Sequence, residues 1–216
     1  MVIAGVTIPT SNEKKLKKLG VKDSKLLSPK RREELYNEIE KLSTNISIMK
    51  VQPCKIDNYR AMGVNLDKIE AMRMAQIIDI NIGSKIYVDS LTQNPKKFKQ
   101  LIVSFLQKKE VDLIVENYMD ESILVVGAAS VIAKVERDRA IIELKKEVGY
   151  DFGVGYPHDS RSIQFVEKLI KETKGRLPEY IRKSWVTTEM LLEKSWQRKL
   201  KDFIFGKKEE CKEEVA

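Results

Sequence analysis

Four short apolar runs punctuate this chain, and much of what lies between them has helical period. Residues 2–8 (VIAGVTI), 46–51 (ISIMKV), 85–89 (KIYVD) and 113–115 (LIV) have the length and β-former content of strands. The second run alternates apolar and polar residues, so it reads as half-buried. Ser28-Pro29 opens a helix, because serine is a favoured N-cap and proline is tolerated at the first helical position. Leu35, Ile39 and Leu42 then fall on one face. A second helix spans about 65–80, with Leu66, Ile69, Ala75 and Ile77 among its apolar residues. A third, about 95–106, aligns Phe98, Leu101, Ile102 and Phe105. The fourth, about 123–148, carries Ala129, Ile132, Ala133, Ala140, Leu144 and Val148, and its small residues allow close approach to a sheet. Strands alternating with helices argue an α/β fold with at least some parallel pairing.

After Gly149 the pattern changes. Residues 151–160 (DFGVGYPHDS) form a Gly/Pro-rich loop, helical segments follow at about 160–174 and 186–200, and Pro178 breaks between them. The end, KKEECKEEVA, reads as a charged, disordered tail. The expected organisation is an α/β domain over 1–149, a loop and helical part over 150–200, and a tail over 201–216.

Charge narrows the partners. Lys and Arg total 40 against 32 Asp and Glu, a formal net charge of +8. Such an excess favours a polyanion, nucleic acid first, although Lys/Glu-rich surfaces also mark thermophile proteins. No apolar run approaches the ~20 residues that cross a bilayer, and MVIAGVTIP lacks the basic start of a signal peptide. The two cysteines, Cys54 and Cys211, are far apart in sequence, and the one histidine, His158, is near neither. That pattern argues against a disulfide framework and thiol catalysis, and for a cytoplasmic protein.

Two acids sit where chemistry is done in such folds. Asp89 closes the KIYVD run, and Asp120 follows the 113–115 run in NYMDES. Ligands of open α/β sheets lie outside the carboxyl ends of the strands. Each acid has a plainer reading: Asp89 as a turn residue, Asp120 as the N-cap of the helix that follows. If the two strands share a sheet, the carboxylates come together and repel unless a cation lies between them. Mg²⁺ suits such a site, since it takes few carboxylates and completes its shell with water and phosphate oxygens. A pair of ions about 4 Å apart can activate water and stabilise the leaving oxygen of a phosphodiester. Carboxylates on a basic protein thus suggest a metal-dependent nuclease.

Several motifs resemble the ribonuclease HII family, of archaeal type, in the family's order over residues 1 to about 200. Asp23-Ser24-Lys25-Leu26-Leu27-Ser28-Pro29, continuing through Arg32-Glu33, resembles its DSK-x-L-[ST]-P-x-x-R-E stretch. Asn65-Leu66 with Glu70-Ala71 is similar to its N-[LE]-x-x-x-EA helix, and Tyr87-Val88-Asp89-Ser90 to its second acidic strand. Residues 128–139 (AASVIAKVERDR) match its AAS-[IV]-[IL]-AKV-x-RDR helix. Gly155-Tyr156-Pro157 with Asp159 and Arg161, and Arg182-Lys183-Ser184-Trp185, resemble its later motifs. The resemblance implies an RNase H-like mixed sheet flanked by helices, with a helical C-terminal part. It implies endonucleolytic cleavage of RNA in RNA–DNA hybrids, including embedded ribonucleotides, with Mn²⁺ or Mg²⁺, leaving a 5′-phosphate and a 3′-hydroxyl. Asp89 and Asp120 would then be catalytic metal ligands. Tyr156 would stack on the ribose whose 2′-hydroxyl tells RNA from DNA, and Lys25 and Arg182 would contact phosphates. The plain alternatives are a packed loop tyrosine and solvated charges.

The chain also departs from the family's pattern. The family begins with a strand ending in Asp-Glu-Ala-Gly-Arg-Gly, and here Met1 stands at the start of the following strand. The expectation is a sheet without its first strand, with an exposed edge or an unfilled groove, and at most trace cleavage from Asp89 and Asp120 alone. Either a start codon was set too late, which the maintained motifs favour, or this is a truncated, inactive relative that binds nucleic acid or a clamp. A second departure is Glu116-Asn117-Tyr118-Met119-Asp120, which keeps the acid of the family's HKAD-like run but not its basic residues. Finally, residues 197–205 (QRKLKDFIF) resemble the Q-x-x-[LIM]-x-x-[FY]-[FY] peptide that docks on the DNA sliding clamp. Gln197, Leu200 and Phe203 fit, and Ile204 replaces the second aromatic. The alternative is a last amphipathic turn packed on the domain. A monomer is expected.

Overall fold

The computed structural model describes residues 1–21, 27–81 and 85–205, with side chains described as far as Gln197. In chain order the elements are β1 (Val2–Thr7), a 3₁₀ turn (Thr10–Asn12), α1 (Glu13–Leu19), α2 (Pro29–Leu42), β2 (Asn45–Lys50), α3 (Pro53–Ala61), α4 (Leu66–Ile80), β3 (Ile86–Asp89), α5 (Pro95–Phe105), β4 (Leu113–Glu116), α6 (Met119–Ser122), α7 (Leu124–Val148), α8 (Ser160–Glu172) and α9 (Val186–Phe205). The chain divides after Gly149 into two compact units. Among the described residues no helix is long and apolar enough to cross a membrane.

Local chemistry sets the helix starts. Ser28 accepts the Arg31 N–H at 3.2 Å and Pro29 takes the first helical position of α2. Asn65 and Asn94 cap α4 and α5 in the same way, accepting from Lys68 N–H (2.9 Å) and Lys97 N–H (3.0 Å). Gly149 ends α7 in the left-handed region, at φ +67°. Helices α1, α3 and α6 are absent from the sequence reading for a physical reason. Each buries one or two side chains, Leu16 in α1 and Ile56 in α3, so none shows an apolar stripe.

Among the described residues the strands pair as two separate two-stranded sheets. β1 runs antiparallel to β2, from Val2 opposite Lys50 to Thr7 opposite Asn45. β3 runs parallel to β4, ending with Asp89 opposite Glu116. One core joins Leu16, Val21, Leu35 and Ile39 to Ala128, Val131, Ile132 and Val135 of α7, with Ala4 and Val6 of β1 packed against it. A second buries Phe98 and Ile102 of α5 against Ala71, Ala75, Leu113 and Val115. The buried stripe of α7 is therefore turned from the expected one: Ile132 is shared, but Ala129 and Ala133 line a cavity instead.

An ionic cluster ties β2, α2 and α7 together. Arg139 donates to both oxygens of Glu33 (3.2 and 2.7 Å) and to Glu136 (2.9 Å), and its guanidinium lies over the Tyr36 ring at 4.4 Å. Lys50 reaches the other oxygen of Glu136 at 2.8 Å. Burial pushes the Glu136 carboxyl up, but the hydrogen bonds and charge of Lys50 and the hydrogen bond of Arg139 outweigh it and hold the group below the ordinary carboxylate range. A carboxyl depressed in the folded state stabilises above its unfolded pKa, near 4.3, and loses that contribution as pH falls. Thermal unfolding should therefore show a midpoint that drops as pH falls below about 5. Glu136→Gln should flatten that drop and cost about 1.5 kcal/mol at neutral pH in denaturant unfolding.

Candidate active site

The carboxyl ends of β3 and β4 are stitched together beyond their last paired residues. The Ser90 N–H donates to Glu116 O at 2.8 Å, which carries the ladder past Asp89. The Asn117 amide donates to Thr92 O at 3.1 Å, and the Ser90 hydroxyl donates to the same oxygen at 2.9 Å. Tyr118 then takes the left-handed region, at φ +61°. That conformation is costly for a residue with a Cβ and persists where the surroundings enforce it. Its effect here is to bring the Met119 N–H to the Asp89 carboxylate at 3.0 Å.

Asp120 follows on the single turn of α6 and is buried. It does not cap α7. The N-cap there is Ile123, which makes no side-chain capping bond. Gly127 explains the close approach of α6 to α7, because a Cβ at that position would lie 3.0 Å from the backbone oxygens of both Asp120 and Val21.

Asp89 and Asp120 line one cavity of about 1050 Å³ between the two strand pairs. Glu70 of α4 lines it too, an acid whose one sequence signal was its place in the Asn65-to-Ala71 run. Among the described residues no three acidic, histidine or cysteine side chains converge as a metal cage. Two hard carboxylate donors at a cavity do fit Mg²⁺ or Mn²⁺, which keeps several waters and needs few protein ligands. The plain reading of Asp120 as the cap of α7 is thereby overturned, while the Asp89 carboxylate both accepts a backbone N–H and lines the cavity.

Apart from Lys25, the other expected residues belong to the second unit. Phe165 stacks on Tyr150 and on Phe152, at 5.2 and 5.1 Å between centroids. Over this core the 151–160 loop is organised by Asp159, which accepts N–H groups from Val154 (2.6 Å) and Arg161 (3.1 Å). Ser162 accepts the Gly155 N–H at 2.9 Å and donates to Phe152 O at 2.8 Å. The Val154 N–H above all holds the Asp159 carboxyl below its usual range. Gly153, at φ +82°, has no room for a side chain beside that carboxylate. The loop presents Tyr156 at 43% exposure, stacked on His158 at 5.4 Å. Arg182 is half-buried, with its Nε donating to Ser184 Oγ at 3.4 Å. Lys25 lies outside the described residues. Gln197 is exposed on α9, and the helical backbone runs on through Leu200 and Phe203 to Phe205.

Comparisons with known proteins agree with one another. The family model for Ribonuclease HII matches residues 1–188. A Ribonuclease HII of Methanococcus maripaludis is 39% identical over 208 residues, covering 94% of this chain and 85% of the relative. The crystal structure of the ribonuclease H2 from Pyrococcus horikoshii superposes with a TM-score of 0.78 at 31% identity, covering 91% of this chain and 100% of the other. The RNase HII in a complex with PCNA from Archaeoglobus fulgidus gives a TM-score of 0.76 at 38% identity, covering 88% of each chain.

The tight contact at Gly127 makes a direct prediction about the site's framework. Gly127→Ala should destabilise the protein by about 1–3 kcal/mol in denaturant unfolding, because backbone on both sides must move. An alanine at Ala129, which faces the cavity, marks by contrast where α7 has space.

Proposed function

The chain belongs to the ribonuclease HII family and is an enzyme of the ribonuclease H type, and on that premise we propose that it cuts the RNA strand of RNA–DNA hybrids, embedded ribonucleotides included. The observation that carries this reading is that Asp89 and Asp120 line the same cavity. Asp89 is held at the end of β3 by the Met119 N–H, and Asp120 is held by the close packing of α6 on α7. These two carboxylates would hold Mn²⁺ or Mg²⁺. The bound metal would supply an activated water and charge stabilisation at the cleaved phosphodiester, leaving a 5′-phosphate and a 3′-hydroxyl.

The chain's own groups would do the rest. The excess of +8 draws in the polyanion. Tyr156, exposed on a loop fixed by Asp159 and Ser162, would stack on the ribose at the cut. Arg182 and Lys25 would contact phosphates. Residues 197–205, at the end of α9, would dock on a DNA sliding clamp, in keeping with the complex formed by the Archaeoglobus relative.

The test is single-turnover cleavage, with protein in excess so that a slow rate is read, on a labelled duplex containing one ribonucleotide. Cleavage should require Mn²⁺ or Mg²⁺ and stop with a chelator. Asp89→Asn and Asp120→Asn should each slow it by roughly 100-fold or more, about 2.7 kcal/mol of transition-state stabilisation. Tight duplex binding without any cleavage would instead favour a binding-only relative. Separately, Phe203→Ala should weaken binding to a sliding clamp by roughly tenfold or more in a titration, as loss of an aromatic anchor does.

A further inference from the structure

Tyr118 carries two costs that its own side chain does nothing to offset. It holds the left-handed region, at φ +61° and ψ +30°, where a Cβ crowds the following carbonyl oxygen. Glycine would serve that turn with no such clash, and asparagine with less. Its ring is also 68% exposed, so little apolar surface is buried in return. Among the described residues no other ring stacks on it and no cation lies over it.

The turn itself is held by backbone and by neighbours. The Asn117 amide donates to Thr92 O at 3.1 Å on one side. On the other, Met119 is buried and its N–H donates to Asp89 Oδ1 at 3.0 Å. The Tyr118 carbonyl accepts from Glu121 N–H at 3.2 Å and from Ser122 Oγ at 3.4 Å. None of these bonds uses the phenol. An outlier that the framework enforces, with a side chain that the framework leaves idle, points to a use outside the fold.

The location says which use. The Tyr118 Cα is two covalent bonds from the Met119 nitrogen, so it lies within about 6 Å of the Asp89 carboxylate oxygen. It belongs to the same compact unit as both acids. The ring does not line the cavity that Asp89 and Asp120 share. It stands in solvent beside it. Successive nucleotides of a duplex strand are spaced by about 3.4 Å along the axis, so the nucleotides flanking a phosphodiester held at Asp89 come within reach of a side chain rooted so near. Residues 116–122 (ENYMDES) hold no Lys or Arg, and what this segment can offer a nucleic acid is therefore an aromatic face and a hydroxyl.

We propose that Tyr118 is a substrate contact that packs its ring against the sugar of a nucleotide flanking the cut phosphodiester. The inference rests on the nuclease reading and adds a contact to it. A phenol suits the task, because it presents a large apolar face to the sugar and a hydroxyl that can donate or accept at its edge.

The experiment compares Tyr118→Gly, Tyr118→Asn and Tyr118→Phe with the parent chain. Glycine and asparagine keep the left-handed turn and remove the ring, whereas phenylalanine keeps the ring. Affinity is read by anisotropy on a labelled duplex with one ribonucleotide, over a series of salt concentrations. Ca²⁺ replaces Mn²⁺, and a gel confirms that the duplex stays whole. Tyr118→Gly and Tyr118→Asn should weaken binding by roughly fivefold or more, the loss of a partly buried ring. Tyr118→Phe should stay within roughly twofold of the parent, since the apolar face is kept. The slope of log affinity against log salt should not change, because no charge is removed. Denaturant unfolding of Tyr118→Gly should match the parent. Equal affinity in all four proteins overturns the contact alone. Weaker binding accompanied by a lower unfolding midpoint in both Tyr118→Gly and Tyr118→Asn also overturns it, since Tyr118 would then act by holding the turn. A parent chain that binds no duplex overturns the nuclease reading and the contact with it.

Discussion

The fold turns on how α7 is held. One stripe, Ala128, Val131, Ile132 and Val135, is fixed in a core with α1, α2 and β1. Its neighbouring small residues, Ala129, Ser130 and Ala133, are thereby left facing the space between the strand pairs. Its N-terminal turn, through Gly127, is pressed against the backbone oxygen of Asp120. One packing choice thus sets the floor of the cavity and the position of one of its acids. The ionic cluster of Glu33, Glu136, Arg139 and Lys50 fixes the middle of the same helix to α2 and β2.

The second acid is positioned by a different device. Asp89 is set by strand register with Glu116, and the β4 end is then bent back by the left-handed Tyr118 so that an N–H meets the carboxylate. Backbone strain and a charge-assisted hydrogen bond sit at the same three residues. Such a pattern suits a group that must keep its orientation when a cation arrives.

Much of this was legible in the sequence. The four strands, the cap at Ser28, and the carboxyl-end placement of Asp89 follow from residue type and period, and the structure has them. Asp120 was ambiguous between a cap and a ligand, because both sit just before a helix. Only the intervening turn of α6, four residues with no stripe to announce it, separates the two. The face of α7 was misjudged because alanines suit both a buried stripe and the wall of a slot. Which one applies depends on tertiary neighbours such as Val21 and Leu35, far away in sequence. The cavity role of Glu70 was hidden for the same reason. No periodicity marks a half-buried acid at the mouth of α4 as different from a solvated one.

The central claim is that Asp89 and Asp120 form one metal centre. Anomalous diffraction from crystals soaked in Mn²⁺ tests it most directly, because it locates the ion without relying on activity. The account predicts an anomalous peak in contact with both carboxylates. A peak confined to other acids, such as Asp151 and Asp159 of the second unit, or no peak between Asp89 and Asp120, would contradict it.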